Sequence, residues 1–218
     1  MPGVVLDPAE VDRARLEALD RAWAPARRHG ALGSTPLPHL LRHAAGFVPA
    51  AWRVRPPDTL VDLGSGVGLP GLLLALLMPG CAVTLVDARA RRCDWARVAA
   101  VACGVADRVT VRTSRLEDLA HRADARGGFG AAVARSLGPP PEVFELGVPL
   151  VRHDGLLVVS VDTTGRRRWE DAPLGQWGAA IAATWTRGEG SWIAVRRTGP
   201  LPAELPRPAR ARRSAPLF

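Results

Sequence analysis

Residues 60–71 read Leu-Val-Asp-Leu-Gly-Ser-Gly-Val-Gly-Leu-Pro-Gly, and the apolar run LLLALLM follows directly. Four glycines, Gly64, Gly66, Gly68 and Gly71, fall within eight positions. Glycine brings no side chain to pack, so the run predicts a backbone that a ligand approaches closely. An apolar run before the glycines and a helical run after them make a strand, a loop and a helix. That is the corner at which open α/β sheets bind nucleotides, on the carboxyl edge of the strands.

The rest of the chain supports such a sheet. From Thr59 to Ser160, short apolar runs (TLVDLG, AVTLVDA, RVTVRT, AAVARS, GLLVVSV) alternate with helical stretches such as RRCDWARVAAVACG. This alternation predicts a mostly parallel sheet with helices on both faces. AAIAATWTRGEGSWIAVRRT then reads as two strands joined at Gly-Glu-Gly, an antiparallel hairpin on the sheet edge. Before the sheet, Val11, Leu16, Leu19 and Trp23 recur at helical spacing, and LPHLLRHAAGFV makes a second short helix. The chain therefore divides into an N-terminal helical extension over 1–55, a sheet domain over 56–198 and a basic Pro/Arg-rich tail over 199–218. The tail is expected to lack regular structure.

Composition sets limits. The chain has 218 residues with 47% hydrophobic content, enough for one domain with a sizeable core. No apolar stretch is long enough to predict a membrane span, and the start, MPGVVLDPAEVDR, does not read as a signal peptide. Cys81, Cys93 and Cys103 lack metal-type spacing, read as reduced core residues and suggest a cytoplasmic protein. The 29 basic residues are all arginine and outnumber 21 acids, for a net charge of +8. The absence of lysine, asparagine and tyrosine has the signature of a GC-rich genome. The positive excess is a separate fact, and it suggests a polyanion such as nucleic acid.

Two acids bear on the ligand. Gly66, Gly68 and Gly71 form G-x-G-x-x-G, which alone suggests a nicotinamide dinucleotide. Asp62, however, stands two residues before the first glycine. A carboxylate there suits an ammonium and a sulfonium better than a pyrophosphate, and the pattern resembles motif I of class I S-adenosylmethionine-dependent methyltransferases. Asp87 ends the second strand and is placed to accept from a ribose diol, or else to cap the following helix. Leu116 and Glu117 follow the third strand, where such enzymes contact adenine. The expected fold is thus the Rossmann-like class I methyltransferase fold, a mostly parallel seven-stranded sheet with a terminal antiparallel hairpin.

Residues 60–160 resemble one family more closely, the bacterial small-subunit ribosomal RNA guanine-N7 methyltransferases, also called glucose-inhibited division protein B. The resemblance rests on DLGSGVGLPG from Asp62 to Gly71, on VTLVDARARR with Asp87, Arg91 and Arg92, and on Arg115, Glu117 and Asp118. ARSL with Arg135 and, loosely, the tail PRPARARRSAPL extend it. The chain departs from the family pattern at Phe129-Gly130 (for F-D), at Ala45-Gly46 (for D-S) and at Ser160-Val161 (for Lys-Gly). The resemblance implies S-adenosylmethionine as cofactor, held by Asp62, Gly64, Ser65, Gly66, Gly68, Leu69, Asp87, Leu116, Glu117 and Arg135. Arg135 is also the catalytic candidate, against the alternative of a surface ion pair.

Guanine N7 carries a free lone pair, so attack on a sulfonium methyl needs positioning rather than a base. That agrees with a chain offering no evident catalytic His or Cys. His43 reads as structural. The expected partner is ribosomal RNA or the small ribosomal subunit, with no membrane and no metal, acted on by a monomer. The alternatives are a methyltransferase for another RNA or a small molecule, and a non-catalytic RNA-binding module on the same fold.

Overall fold

A computed structural model describes residues 4–218; the first three residues of the expected N-terminal extension lie outside the described residues. Seven strands form one sheet: β1 (Thr59–Leu63), β2 (Ala82–Asp87), β3 (Val109–Thr113), β4 (Phe129–Ala134), β5 (Val151–Val161), β6 (Ala179–Arg187) and β7 (Gly190–Arg197). Their order is β3-β2-β1-β4-β5-β7-β6. The first five are parallel, and β7 runs antiparallel to both β5 and β6. The chain leaves β1 towards β2 on one side and later returns to β4 on the other. The carboxyl ends of β1 and β4 therefore border the crevice where such sheets bind ligands.

Strand side chains alternate between faces, and here both faces are apolar. Leu60, Leu85, Val133 and Val158 point to one side, where α1 (Arg13–Arg28), α2 (Leu37–Gly46), α4 (Gly71–Leu77) and α5 (Ala90–Ala102) cover them. Val61, Val86, Ala134 and Val159 point to the other, under α6 (Leu116–His121), α7 (Pro140–Gly147) and α8 (Thr163–Glu170). Near-continuous apolar strands such as VVSV follow from burial on both faces. The short helix α3 (Ala50–Val54) leads into β1 and buries Trp52.

The N-terminal helices belong to the first of these cores. Asp12 caps α1 by accepting from the Ala14 and Arg15 N–H groups. Leu19 and Trp23 of α1 are fully buried, and the Trp23 indole N–H donates to the Val67 carbonyl at 2.9 Å. The segment read as an extension thus props the glycine loop.

The tail departs from expectation. It carries a short helix, α9 (Ala209–Ser214), and it lies on the second face rather than running free. Arg126 donates to the Pro202 and Leu205 carbonyls, and Phe218 packs against Phe144 and Trp169. Local composition shows the prolines and arginines but not the buried acceptors waiting for them.

Candidate active site

The glycine loop folds on its own hydrogen bonds. Ser65 N–H donates to the Val86 carbonyl, tying the loop to β2, and the Ser65 carbonyl accepts from Gly68 and Leu69 at 2.8 and 2.9 Å. Gly64 and Gly66 sit at φ +67° and +56°, the left-handed region that favours glycine. Gly68 also has a positive φ, +96°, whereas Gly71 does not, and both are crowded. A Cβ at Gly71 would stand 2.2 Å from Leu85 and 2.8 Å from Asp62, and one at Gly68 would stand 2.6 Å from Leu72. Protein atoms, not a ligand, fill the space at Gly68 and Gly71, and at Gly64 too, where a Cβ would stand 2.7 Å from Leu137. This corrects the expectation that ligand approach explains the whole run. Beside Gly66 the nearest atom is an Arg92 nitrogen at 3.8 Å, which leaves that position open.

Asp62 lies behind the loop. It is fully buried, and Oδ2 accepts from Gly71 N–H at 2.7 Å, holding the first turn of α4. Burial pushes its carboxyl up to about 7, against the Gly71 hydrogen bond and the nearby Arg135 charge, with Asp87 adding to the rise. Its Oδ1 is buried without a partner, as is Ser65 Oγ. Asp87 is placed differently, on the wall of a cleft of about 430 Å³. Its two oxygens accept from Gly66 N–H at 3.1 Å and Arg89 N–H at 2.8 Å. One carboxylate therefore joins the loop to the residue that precedes α5, but Arg89 and not Asp87 is the N-cap of that helix, so the helix-capping alternative does not describe it. Each oxygen keeps a second lone pair for a hydroxyl.

Gly64, Leu116 and Glu117 also line this cleft, together with Arg212 from the tail. Partial burial works to raise the Glu117 carboxyl, and the hydrogen bond and charge of Arg212, a backbone hydrogen bond and the Arg115 charge together outweigh it, so the net shift is downward. Leu69 instead joins the apolar core on the α1 side. The structure thus brings Gly64, Asp87, Leu116 and Glu117 to one cleft and sets Asp62, Ser65, Gly68 and Leu69 beneath it as its support.

Arg135 follows β4. It is half-buried and, among the described residues, makes no hydrogen bond or ion pair within contact distance. Burial lowers its pKa while Asp62 opposes the shift. Ser136 beside it has φ +51°, an uncommon backbone state for a residue with a side chain. Ser136 and Leu137 border both the first cleft and a second cavity of about 700 Å³. The second cavity takes His43, Asp162, Arg168 and Glu189 into its lining. Burial, and then Arg135, lower the His43 pKa. The arrangement is two adjoining chambers that share Ser136 and Leu137, directly after Arg135 in the chain.

Two features escaped the sequence reading. Gly46 lies against Trp192: a Cβ there would come within 2.1 Å of the indole, and the Gly46 carbonyl accepts from Trp185 Nε1 at 2.8 Å. Ala45-Gly46 thus makes room for the hairpin tryptophans. Arg212 lies 95 residues from its partner Glu117, a separation at which no local pattern speaks.

A mostly parallel sheet with its last strand reversed, a glycine loop after β1 and an acid after β2 define the class I methyltransferase fold. The O-methyltransferase TomG from Streptomyces achromogenes, solved with SAM, matches at a TM-score of 0.60 and 19% identity over 84% of this chain and 90% of that one. A Bacillus cereus O-methyltransferase solved with SAH matches at 0.60 and 15% over 83% and 90%. The family model described as GidB, rRNA small subunit methyltransferase G, matches residues 38–165, well over half of the chain. The chain belongs to the rRNA small subunit methyltransferase G family. Its relative from Parasynechococcus marenigrum is 39% identical over 116 residues, which is 53% of this chain and 45% of that protein. The one from Prochlorococcus marinus (strain MIT 9303) is 34% identical over 161 residues, or 70% and 65%. The chain spans less than half the length of the first-named relative and of two Synechococcus counterparts. No helix is long and apolar enough to cross a membrane, and no metal-type cluster of His, Cys, Asp and Glu occurs among the described residues.

Proposed function

We propose that the chain transfers a methyl group from S-adenosylmethionine to N7 of a guanine in small-subunit ribosomal RNA, acting as a cytoplasmic monomer. One observation carries the reading: a nucleotide-sized cleft beside the glycine loop and Asp87 adjoins a second cavity through Ser136 and Leu137, the two residues that follow Arg135 in the chain. The residues present fit the cofactor. Gly66 is open on its Cβ side, Asp87 retains acceptor capacity, and Leu116 and Glu117 line the same cleft as Asp87.

When bound, the cofactor supplies an electrophilic methyl on a sulfonium. Asp87 accepts from the ribose hydroxyls, and Leu116 gives the adenine an apolar wall. Asp62 keeps the loop in shape through Gly71 N–H. Arg135 donates from its planar fork to the acceptor edge of the guanine and orients the base. No residue needs to remove a proton, because N7 is already a nucleophile. The chain's part is to hold the base and exclude water.

A second reading keeps the cofactor and changes the acceptor. Two acids, Asp162 and Glu189, against one arginine, Arg168, line the second cavity, a balance that suits a small neutral or cationic molecule better than phosphate. Labelled S-adenosylmethionine offered with total RNA, small-subunit particles and a metabolite extract decides between the two. Label recovered as 7-methylguanosine from the particles supports the first reading, and label confined to the extract overturns it.

A further inference from the structure

The arginines of the tail suggest an RNA-binding arm, yet Arg212 is only 4% exposed. It enters the wall of the smaller cleft at the end formed by Leu116 and Glu117. Its Nη2 donates to Glu117 Oε1 at 2.5 Å, and Glu142 Oε1 lies 3.6 Å away. Its Nη1 donates to the Arg207 carbonyl, while Nε is buried without a partner. Burying a guanidinium is costly, and the pairing here is incomplete. If Arg212 served only to fasten the tail, Arg207 would be the better fastener. Arg207 meets the fully buried Glu145 through Nε and Nη2 together, and it lies outside the cleft.

The Arg212 contact also sets the direction of an acceptor. With Oε1 engaged by Arg212, Glu117 Oε2 has no protein partner among the described residues. A carboxylate held in this way accepts from an exocyclic amine and repels a carbonyl at the same place. We propose that Arg212, delivered by α9, is a positioning residue of the cofactor cleft, holding the Glu117 carboxylate so that it selects a 6-amino purine. The inference rests on the S-adenosylmethionine reading and makes the tail part of the cofactor site.

Calorimetry with S-adenosylhomocysteine and its 6-oxo analogue S-inosylhomocysteine tests it. The wild-type chain binds the adenine compound about tenfold tighter or more, the scale of one charge-assisted hydrogen bond. Arg212→Met keeps the apolar stem, loses that preference and leaves binding of the 6-oxo compound unchanged. Arg207→Met retains the preference. Equal loss in both variants would mean that tail anchoring alone matters, and an intact preference in Arg212→Met would overturn the inference outright. If Arg212→Met does not fold, Arg212→Lys reads the same ratio, because it keeps the charge and loses the fork; an unchanged ratio there counts against the proposal. A wild-type chain that binds neither compound refutes the cofactor reading itself, a result distinct from the others.

Discussion

Asp62→Asn should stabilise the chain, and by an amount that depends on pH. The Asp62 carboxyl titrates at about 7 in the folded chain, against an ordinary value of 3.8, because burial outweighs the Gly71 hydrogen bond and the Arg135 charge. Between those values the folded chain keeps a proton that the unfolded chain has released. The stability contributed by this group therefore falls as pH rises through that window and is level above it. At about 1.36 kcal/mol per pH unit, the whole effect is on the order of 4 kcal/mol, of which roughly 2.5–3 kcal/mol falls between pH 5 and pH 8. Asparagine has nearly the same shape and can accept from Gly71 N–H through its own oxygen. Its amide nitrogen would sit where Oδ1 already lacks a partner, so the unsatisfied position is common to both chains. Urea unfolding of cofactor-free protein at pH 5, 6, 7 and 8 measures the difference. The variant's advantage should grow by about 3 kcal/mol from pH 5 to pH 8, or roughly 6–12 °C in melting temperature for a chain of this size. A difference that does not change with pH would refute the reasoning. A variant that becomes less stable at pH 8 would mean that attraction to Arg135 outweighs burial.

Gly46→Ala should cost about 1–3 kcal/mol, because its Cβ would press into the Trp192 indole; Trp192→Leu in the same chain should recover part of the loss in thermal melts. Arg135→Ala should reduce turnover with little change in melting temperature, since the half-buried guanidinium has no hydrogen-bond or ion-pair partner among the described residues; a large melting shift with normal activity per folded molecule would make the residue structural. Asp87→Ala should weaken S-adenosylhomocysteine by about 1.5–3 kcal/mol, and an unchanged dissociation constant by calorimetry would leave the carboxylate only its role at the start of α5. Arg210 and Arg213 are the exposed arginines of α9. Replacing both with alanine should lower the log–log salt slope of RNA binding by about 1.4–1.8 without altering cofactor affinity, and equal slopes would remove α9 from the RNA surface.

The strand–loop–helix corner was legible in twelve residues, because each signal there is local. An apolar run, a set of left-handed positions and a following helix all lie within one turn of the chain of one another. Asp87 and the hairpin were legible for the same reason, the one from strand spacing and the other from Gly-Glu-Gly between β-type runs. What each glycine is for was not legible. Gly66 answers to backbone conformation alone, Gly64 and Gly68 to backbone conformation and to Leu137 and Leu72, and Gly71 to Leu85 and Asp62, and a string of letters does not show which atoms approach. Whether Asp62 faces the ligand or the back of the loop was likewise settled only by the packing of α4 onto β1 and β2. The tail is the clearest case. Proline and arginine predict an extended basic arm as long as solvent is their only partner. Glu145, fully buried, and the partly buried Glu117 and Glu142, brought together by α6 and α7, offer carboxylates instead, and a charge pairs with what the fold places beside it rather than with its neighbours in the chain.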